Sequence, residues 1–118
     1  MLSATQHAAV TSDAARPLQI LAGPGSGKTR VLTSRVAWLV RDSATPIAPE
    51  RCVVVTFTNR AANEMRARLE SMIGADRTRR LVLGTFHAVC VRFLRRWGTR
   101  LGLDPRFTIA DADDARRL

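Results

Sequence analysis

The sequence predicts an α/β fold in which a parallel sheet is joined by crossover helices, and three observations lead there. Short apolar runs at 18–21, 52–57 and 81–83 alternate with segments whose apolar residues recur at helical spacing. The run at 52–57 is almost continuously apolar and β-branched, as a strand buried on both faces requires. A glycine-rich loop, Ala22 to Gly27, stands between the first run and the first helical segment.

The run from Leu18 to Leu21 reads as a first strand leading into that loop. Leu32, Val36, Leu39 and Val40 then space one face of a helix. Residues 42–50, with Ser43, Pro46 and Pro49, form a connecting loop before the second strand. Asn59 can cap the next helix, whose apolar face carries Ala62, Met65, Leu69 and Met72 while Arg66 and Arg68 lie off it. Leu81 to Leu83 forms a third strand ending at Gly84. Cys90, Phe93, Leu94, Trp97 and Leu101 line a further helical stripe, with Arg92, Arg96 and Arg100 four apart beside it. Gly98 and Gly102 end or break that helix, and Asp104-Pro105 makes a turn. No internal repeat disturbs the β-α-β-α-β-α order.

The loop carries the clearest chemistry. Ala22-Gly23-Pro24-Gly25-Ser26-Gly27-Lys28-Thr29 matches the P-loop pattern, with Ala22 in place of the first glycine. Glycines let successive backbone amides turn toward one anion, and the helix that follows adds its positive end. Lys28 can reach the β and γ phosphates of a nucleoside triphosphate, and the Thr29 hydroxyl can ligate Mg²⁺. Of the 19 basic residues, 18 are Arg and only Lys28 is Lys. A compact ammonium enters a cradle of amides where the bulkier guanidinium is a poor substitute. Gln6, 22 residues before Lys28, has an amide that both donates and accepts. Such a group can read the edge of adenine, although an N-terminal Gln on its own is usually just solvated.

Composition narrows the partners. Hydrophobic residues at 46% and charged residues at 25% are ordinary for a globular protein, and no apolar run approaches bilayer length. The N-terminal residues lack a secretory pattern, so Met1 is expected to be a genuine start and the chain cytoplasmic. Cys52 and Cys90 form neither a metal-ligand pair nor a disulfide framework and are expected in the core. His7 and His87 have no partner ligands at useful spacing, which argues against a protein-built metal site. Nineteen basic against 10 acidic residues give +9, which suits a polyanion. Fourteen of the basic residues lie from Arg51 onward, interleaved with Phe57, Phe86, Phe93 and Trp97 rather than gathered in a tail. That pattern favours nucleic acid over lipid, with arginines that merely solvate helix faces as the alternative.

Leu-Ser-x-x-Gln, then AGPGSGKTRVL, then VTFTNRAANEMRARL, then GTFHAVCVRFLRR, in this order, is similar to the N-terminal motor domain of UvrD/Rep-type superfamily 1 DNA helicases. The resemblance spans nearly the whole chain. It implies the first part of an incomplete P-loop NTPase (RecA-like) parallel sheet with crossover helices, ending before the Walker B strand. Residues 1–103 would belong to the ATP-binding domain and 104–118 to a turn, a short apolar segment and the start of a helix leading toward a helical subdomain. By this likeness Gln6 contacts adenine, Gly25 to Thr29 hold the phosphates and Mg²⁺ of ATP, and Arg30 lies against the nucleotide. Lys28 and Thr29 are then the catalytic members of the set. Thr56, Phe57, Thr58 and Asn59 resemble the family's single-strand contact, with Arg60 where Lys is common, and Thr85, Phe86 and His87 resemble a second one.

Each of these has a plainer reading. Phe57 and Phe86, at strand ends, fit a core as well as a base platform. Thr58 and Asn59 can cap a helix, and His87 alone reads as a core or capping residue. Hydrolysis also needs carboxylates that hold Mg²⁺ and position water. Phe107 to Asp111 superficially fits a Walker B strand, but Ala112-Asp113-Asp114 lacks the family's acidic-Gln signature. Asp111 fits a helix cap better, with Asp113 and Asp114 at the positive end of that helix. The expectation is therefore a segment that binds ATP and a single strand or a single-strand/duplex junction. Hydrolysis and unwinding, in replication or repair, would belong to a longer parent with a second RecA-like domain, and the isolated chain would be inactive. A non-catalytic ATP and single-strand-binding module and a small P-loop phosphotransferase remain as alternatives.

Overall fold

The computed structural model describes residues 1–110 and 112–117, and its first strand falls on the β-branched run at 53–56. Two strands, β1 (Val53–Thr56) and β2 (Val82–Thr85), pair in parallel, in register from Val53 opposite Val82 to Thr56 opposite Thr85. Parallel neighbours need a crossover rather than a hairpin. It is made by α3 (Asn59–Ile73) and the shorter α4 (Ala75–Arg80).

Helix α3 begins one residue earlier in its capping than the sequence suggested. Thr58 has extended backbone angles and its Oγ1 accepts the Ala61 amide at 3.1 Å. Asn59 is already inside the helix, so its side chain is past the position from which a cap reaches the first-turn amides. The helix buries Ala62, Met65, Leu69 and Ile73, one face at three- and four-residue spacing, and Met72 packs partly buried beside it. Leu69 is fully enclosed. With Val36, Ala37, Val40, Val54 and Leu81, most of this face forms the main core.

The helix after the loop, α2 (Lys28–Ala37), contributes Val36 and Ala37 to that core and runs on as a π-helical turn over Trp38–Asp42, where Val40 is buried. There the Ser43 amide bonds the Trp38 carbonyl at 2.8 Å, a five-residue step. A cavity of about 290 Å³ lies between α2 and β1, walled mainly by Leu32, Val36, Leu39, Val53 and Val55. An N-terminal helix, α1 (Ala4–Val10), was not foreseen.

The first expected strand does not form. Residues 18–21 carry no regular structure, and Leu18, Ile20 and Leu21 are all exposed. A strand exists only by hydrogen bonding to a neighbour. Among the described residues β1 and β2 pair only with each other. An apolar run without a ladder partner stays irregular.

By its contacts the chain divides into two compact units, Met1–Phe86 and His87–Leu118. The last helix to leave the sheet, α5 (Phe86–Trp97), continues as a 3₁₀ turn over Gly98–Leu101 and stops at Gly102, so both glycines act where expected. Only Val89 of α5 is buried; Cys90, Phe93 and Trp97 are exposed. The expectation of a buried Cys90 therefore fails, because it stands on a helix face that the described residues leave exposed. Cys52, by contrast, is partly buried against the core, and burial pushes its thiol pKa up. Asp104 makes the turn, its Oδ1 accepting the Arg106 amide and its carbonyl the Phe107 amide. The final helix, α6 (Ala112–Arg117), carries Asp113 and Asp114 in its first turn. Asp111, the residue weighed as cap or strand-end carboxylate, lies outside the described residues.

Candidate nucleotide and single-strand site

The glycine-rich loop turns at Gly23 to Ser26, where the Ser26 amide and hydroxyl both bond the Gly23 carbonyl. Gly25 and Gly27 sit at φ +73° and +82°, in the left-handed region that side-chain-bearing residues avoid. This pair of turns delivers the chain into α2 with Gly27 as its N-cap. Lys28, Thr29 and Arg30 then form the first helical turn, and all three are exposed. Their amides have no upstream carbonyl within the helix to bond, so they and the helix dipole make a positive corner. Acidic residues are scarce nearby: between Met1 and Arg41 the sequence holds one, Asp13, against five basic residues. Asp13 is engaged locally, accepting the Ala15 amide at 2.9 Å.

Helix α1 is fastened to this corner at both ends. At its start Ser3 and Gln6 form a capping box: the Ser3 hydroxyl accepts the Gln6 amide, and Gln6 Oε1 accepts the Ser3 amide at 2.9 Å. The other end of the same Gln6 side chain, Nε2, donates to the Ser26 carbonyl of the loop at 3.1 Å. At the finish of α1, Arg35 of α2 donates to the carbonyls of Ala9, Val10 and Ser12 at 2.9–3.1 Å. The Ala9 and Val10 carbonyls lie in the last turn of α1, where the helix itself supplies no amide partner, and Ser12 lies just beyond it. Between α1, the loop and residues 20–22 lies a cavity of about 130 Å³ lined by Gln6, Ala9, Ile20, Leu21, Lys28 and Val31 among others. Drug-sized pockets begin at about 300 Å³, so this one suits a fragment the size of a base rather than a whole nucleotide.

The capping box was legible as Ser-x-x-Gln, a known helix-start signature that the sequence reading passed over. Nothing in the sequence marks Arg35.

A second cluster sits at the C-terminal ends of β1 and β2. Because Thr56 faces Thr85 in register, the residues that follow them, Phe57 and Phe86, emerge side by side. Their ring centroids are 5.4 Å apart at 45°. Phe57 is 90% exposed and Phe86 47%, so neither is a core residue. Thr56 is buried and its hydroxyl donates to the Thr58 carbonyl at 3.0 Å, which fixes the bend between strand and helix. Thr58 is occupied as the cap of α3, and Asn59 is exposed. Arg60 pairs with Glu64 at 3.2 Å in an open surface bridge. Arg66 ties α3 to β2 by donating to the Leu83 carbonyl. Thr85 is half-buried, while His87 opens the second unit and is exposed.

No group of three or more His, Cys, Asp or Glu side chains that could hold a metal occurs among the described residues. None of the described helices is long and apolar enough to cross a membrane.

The family described as UvrD/REP helicase N-terminal domain matches residues 2–118. The chain belongs to that family. As a UvrD/REP N-terminal domain it is 46% identical over 100 residues to the ATP-dependent DNA helicase srs2 of Schizosaccharomyces pombe, covering 85% of this chain and 11% of that protein. It is 50% identical over 102 residues to the ATP-dependent DNA helicase PcrA of Leuconostoc citreum, covering 86% of this chain and 13% of that protein. PcrA of Staphylococcus epidermidis is 46% identical over 102 residues, covering 86% and 14%. The chain thus spans about a seventh or less of the length of these relatives, and the family resemblance read from the motifs holds.

Proposed function

We propose that this chain is the ATP-binding and single-strand-contacting segment of an ATP-dependent DNA helicase. The observation that carries the reading is the loop: two left-handed glycines aim it into α2, and the ammonium of Lys28 stands exposed beside it with no carboxylate partner among the described residues. An anion bound there gains the first-turn amides, the helix end and Lys28 together. Arg30 adds a second cation to the nucleotide. The small apolar cavity beside Gln6 fits the base.

Mg²⁺ fits the same corner. It favours few protein ligands and completes its shell with phosphate oxygens and water. Thr29 offers one exposed hydroxyl where the β and γ phosphates would lie. When bound, the ion would neutralise phosphate charge.

At the strand ends, the Phe57 and Phe86 rings offer a platform on which successive bases can stack. Asn59 and Arg60 stand exposed beside it to meet the phosphate backbone. Losing the Arg60–Glu64 pair to a phosphate costs little, since exposed ion pairs are worth about 0–1 kcal/mol. Thr56 and Thr58 serve this surface by holding its backbone, and Thr85 extends it. Unwinding, and the second motor domain it needs, belong to the longer helicase of which this chain would be one part.

The reading is tested by titrating the chain with a fluorescent single-stranded oligonucleotide across a range of salt. If about four phosphates are neutralised, the log-log slope should be about −3. A flat response would remove nucleic acid from the account.

A further inference from the structure

Gln6 joins α1 to the backbone of the glycine-rich loop. A primary amide has two N–H donors and two acceptor lone pairs. Here one lone pair accepts the Ser3 amide at 2.9 Å and one N–H donates to the Ser26 carbonyl at 3.1 Å. One N–H and one lone pair remain, and Gln6 lines the cavity that Ser26 and Lys28 also line. The fit around Nε2 is close, since a Cβ added at Gly27 would stand 3.2 Å from it. The Ser26 carbonyl is therefore held by Gln6, and a carbonyl so engaged is kept from an anion that would seek the loop's amides.

We infer that Gln6 is a positioning residue for the phosphates as well as a contact for the base: by bonding the Ser26 carbonyl it sets the loop in its anion-binding shape. The inference rests on the reading of the loop as a triphosphate site and goes beyond it by coupling base and phosphate recognition through one side chain. A base that takes up the free half of the amide orients it, and the half bonded to Ser26 moves with it. Phosphate affinity then depends on Gln6 even when no base is present. A residue that only reads adenine would have no such effect.

Binding of magnesium tripolyphosphate and of Mg-ATP to the chain, measured by calorimetry for wild type, Gln6→Leu and Ser3→Ala, separates the cases. Gln6→Leu removes the bond to Ser26. Ser3→Ala weakens the cap of α1 and leaves that bond in place, so it reports any loss that comes merely from fraying the helix. Gln6→Leu is expected to weaken tripolyphosphate about fivefold, the effect of one hydrogen bond, and ATP by more, while Ser3→Ala stays within twofold of wild type for both. Tripolyphosphate bound equally by Gln6→Leu and wild type would leave Gln6 a base contact only. Equal losses in both variants would reduce it to a helix cap. Should Gln6→Leu fail to fold, Gln6→Glu keeps the acceptor for Ser3 and lacks the donor for Ser26, and wild-type affinity in that variant overturns the inference. Absence of tripolyphosphate binding by the wild type would instead defeat the phosphate-loop reading, and this inference with it.

Discussion

The glycine-loop corner and the strand-end corner of the first unit are built by different physics. At the strand ends, Phe57 and Phe86 are placed by a register: β1 and β2 pair residue by residue, and α3 packs its buried face into the main core. At the loop, no ladder reaches residues 18–27; α2 enters the main core through Val36 and Ala37, while the loop and α1 are placed by glycine geometry, by the buried Val10 and Val31, and by hydrogen bonds through Gln6 and Arg35. One corner sits on the strands of the core, while the loop and α1 are held outside that core by fewer contacts, which can open without unfolding the rest. The lesson is that the two corners should fail separately.

The largest expected effect follows from Leu69. Its fully enclosed side chain packs within the α3 core, so Leu69→Ala should cost about 2–5 kcal/mol in urea unfolding. It should take the strand-end platform down with it. A cost below about 1 kcal/mol would mean that α3 does not anchor that corner.

Phe57→Ala probes the opposite property of the same corner. An exposed ring that stacks a base should weaken single-strand binding by about 1–3 kcal/mol. With 90% of the residue exposed, the melting curve should scarcely move. A stability loss with unchanged binding would return Phe57 to a packing role.

At the loop corner, Arg35→Ala removes three hydrogen bonds to carbonyls at and just beyond the end of α1. These groups are partly exposed and can turn to water, so the global cost should be on the order of 1 kcal/mol. Amide exchange should rise in α1 and stay unchanged in α3. Exchange rising equally in both helices would show that the two corners are one cooperative piece.

The contrast also explains what could be read from the residues beforehand. The loop from Ala22 to Thr29 and the Thr-Phe segments are local signatures, and the roles proposed for them rest on a few adjacent residues. Strands β1 and β2, helix α3 and its face appeared because periodicity is local too. The run at 18–21 misled because a strand is a property of a pair, and its own residues say nothing about the partner. Cys90 misled for a related reason: an apolar stripe signals a face that prefers cover, and on α5 only Val89 obtains it. Thr58 and Asn59 differ by one residue, a distinction set by the backbone angles at the helix start rather than by side-chain type. Arg35 could not have been foreseen, since its three acceptors stand 23–26 residues away in sequence.

The most direct test of the central claim is a calorimetric titration of the chain with Mg-ATP, wild type beside Lys28→Ala. A phosphate site built on the loop predicts saturable one-to-one binding by the wild type. Removing the charged hydrogen bonds of Lys28 should weaken it at least about tenfold. Equal affinity in the two proteins, or no binding by the wild type, would contradict it.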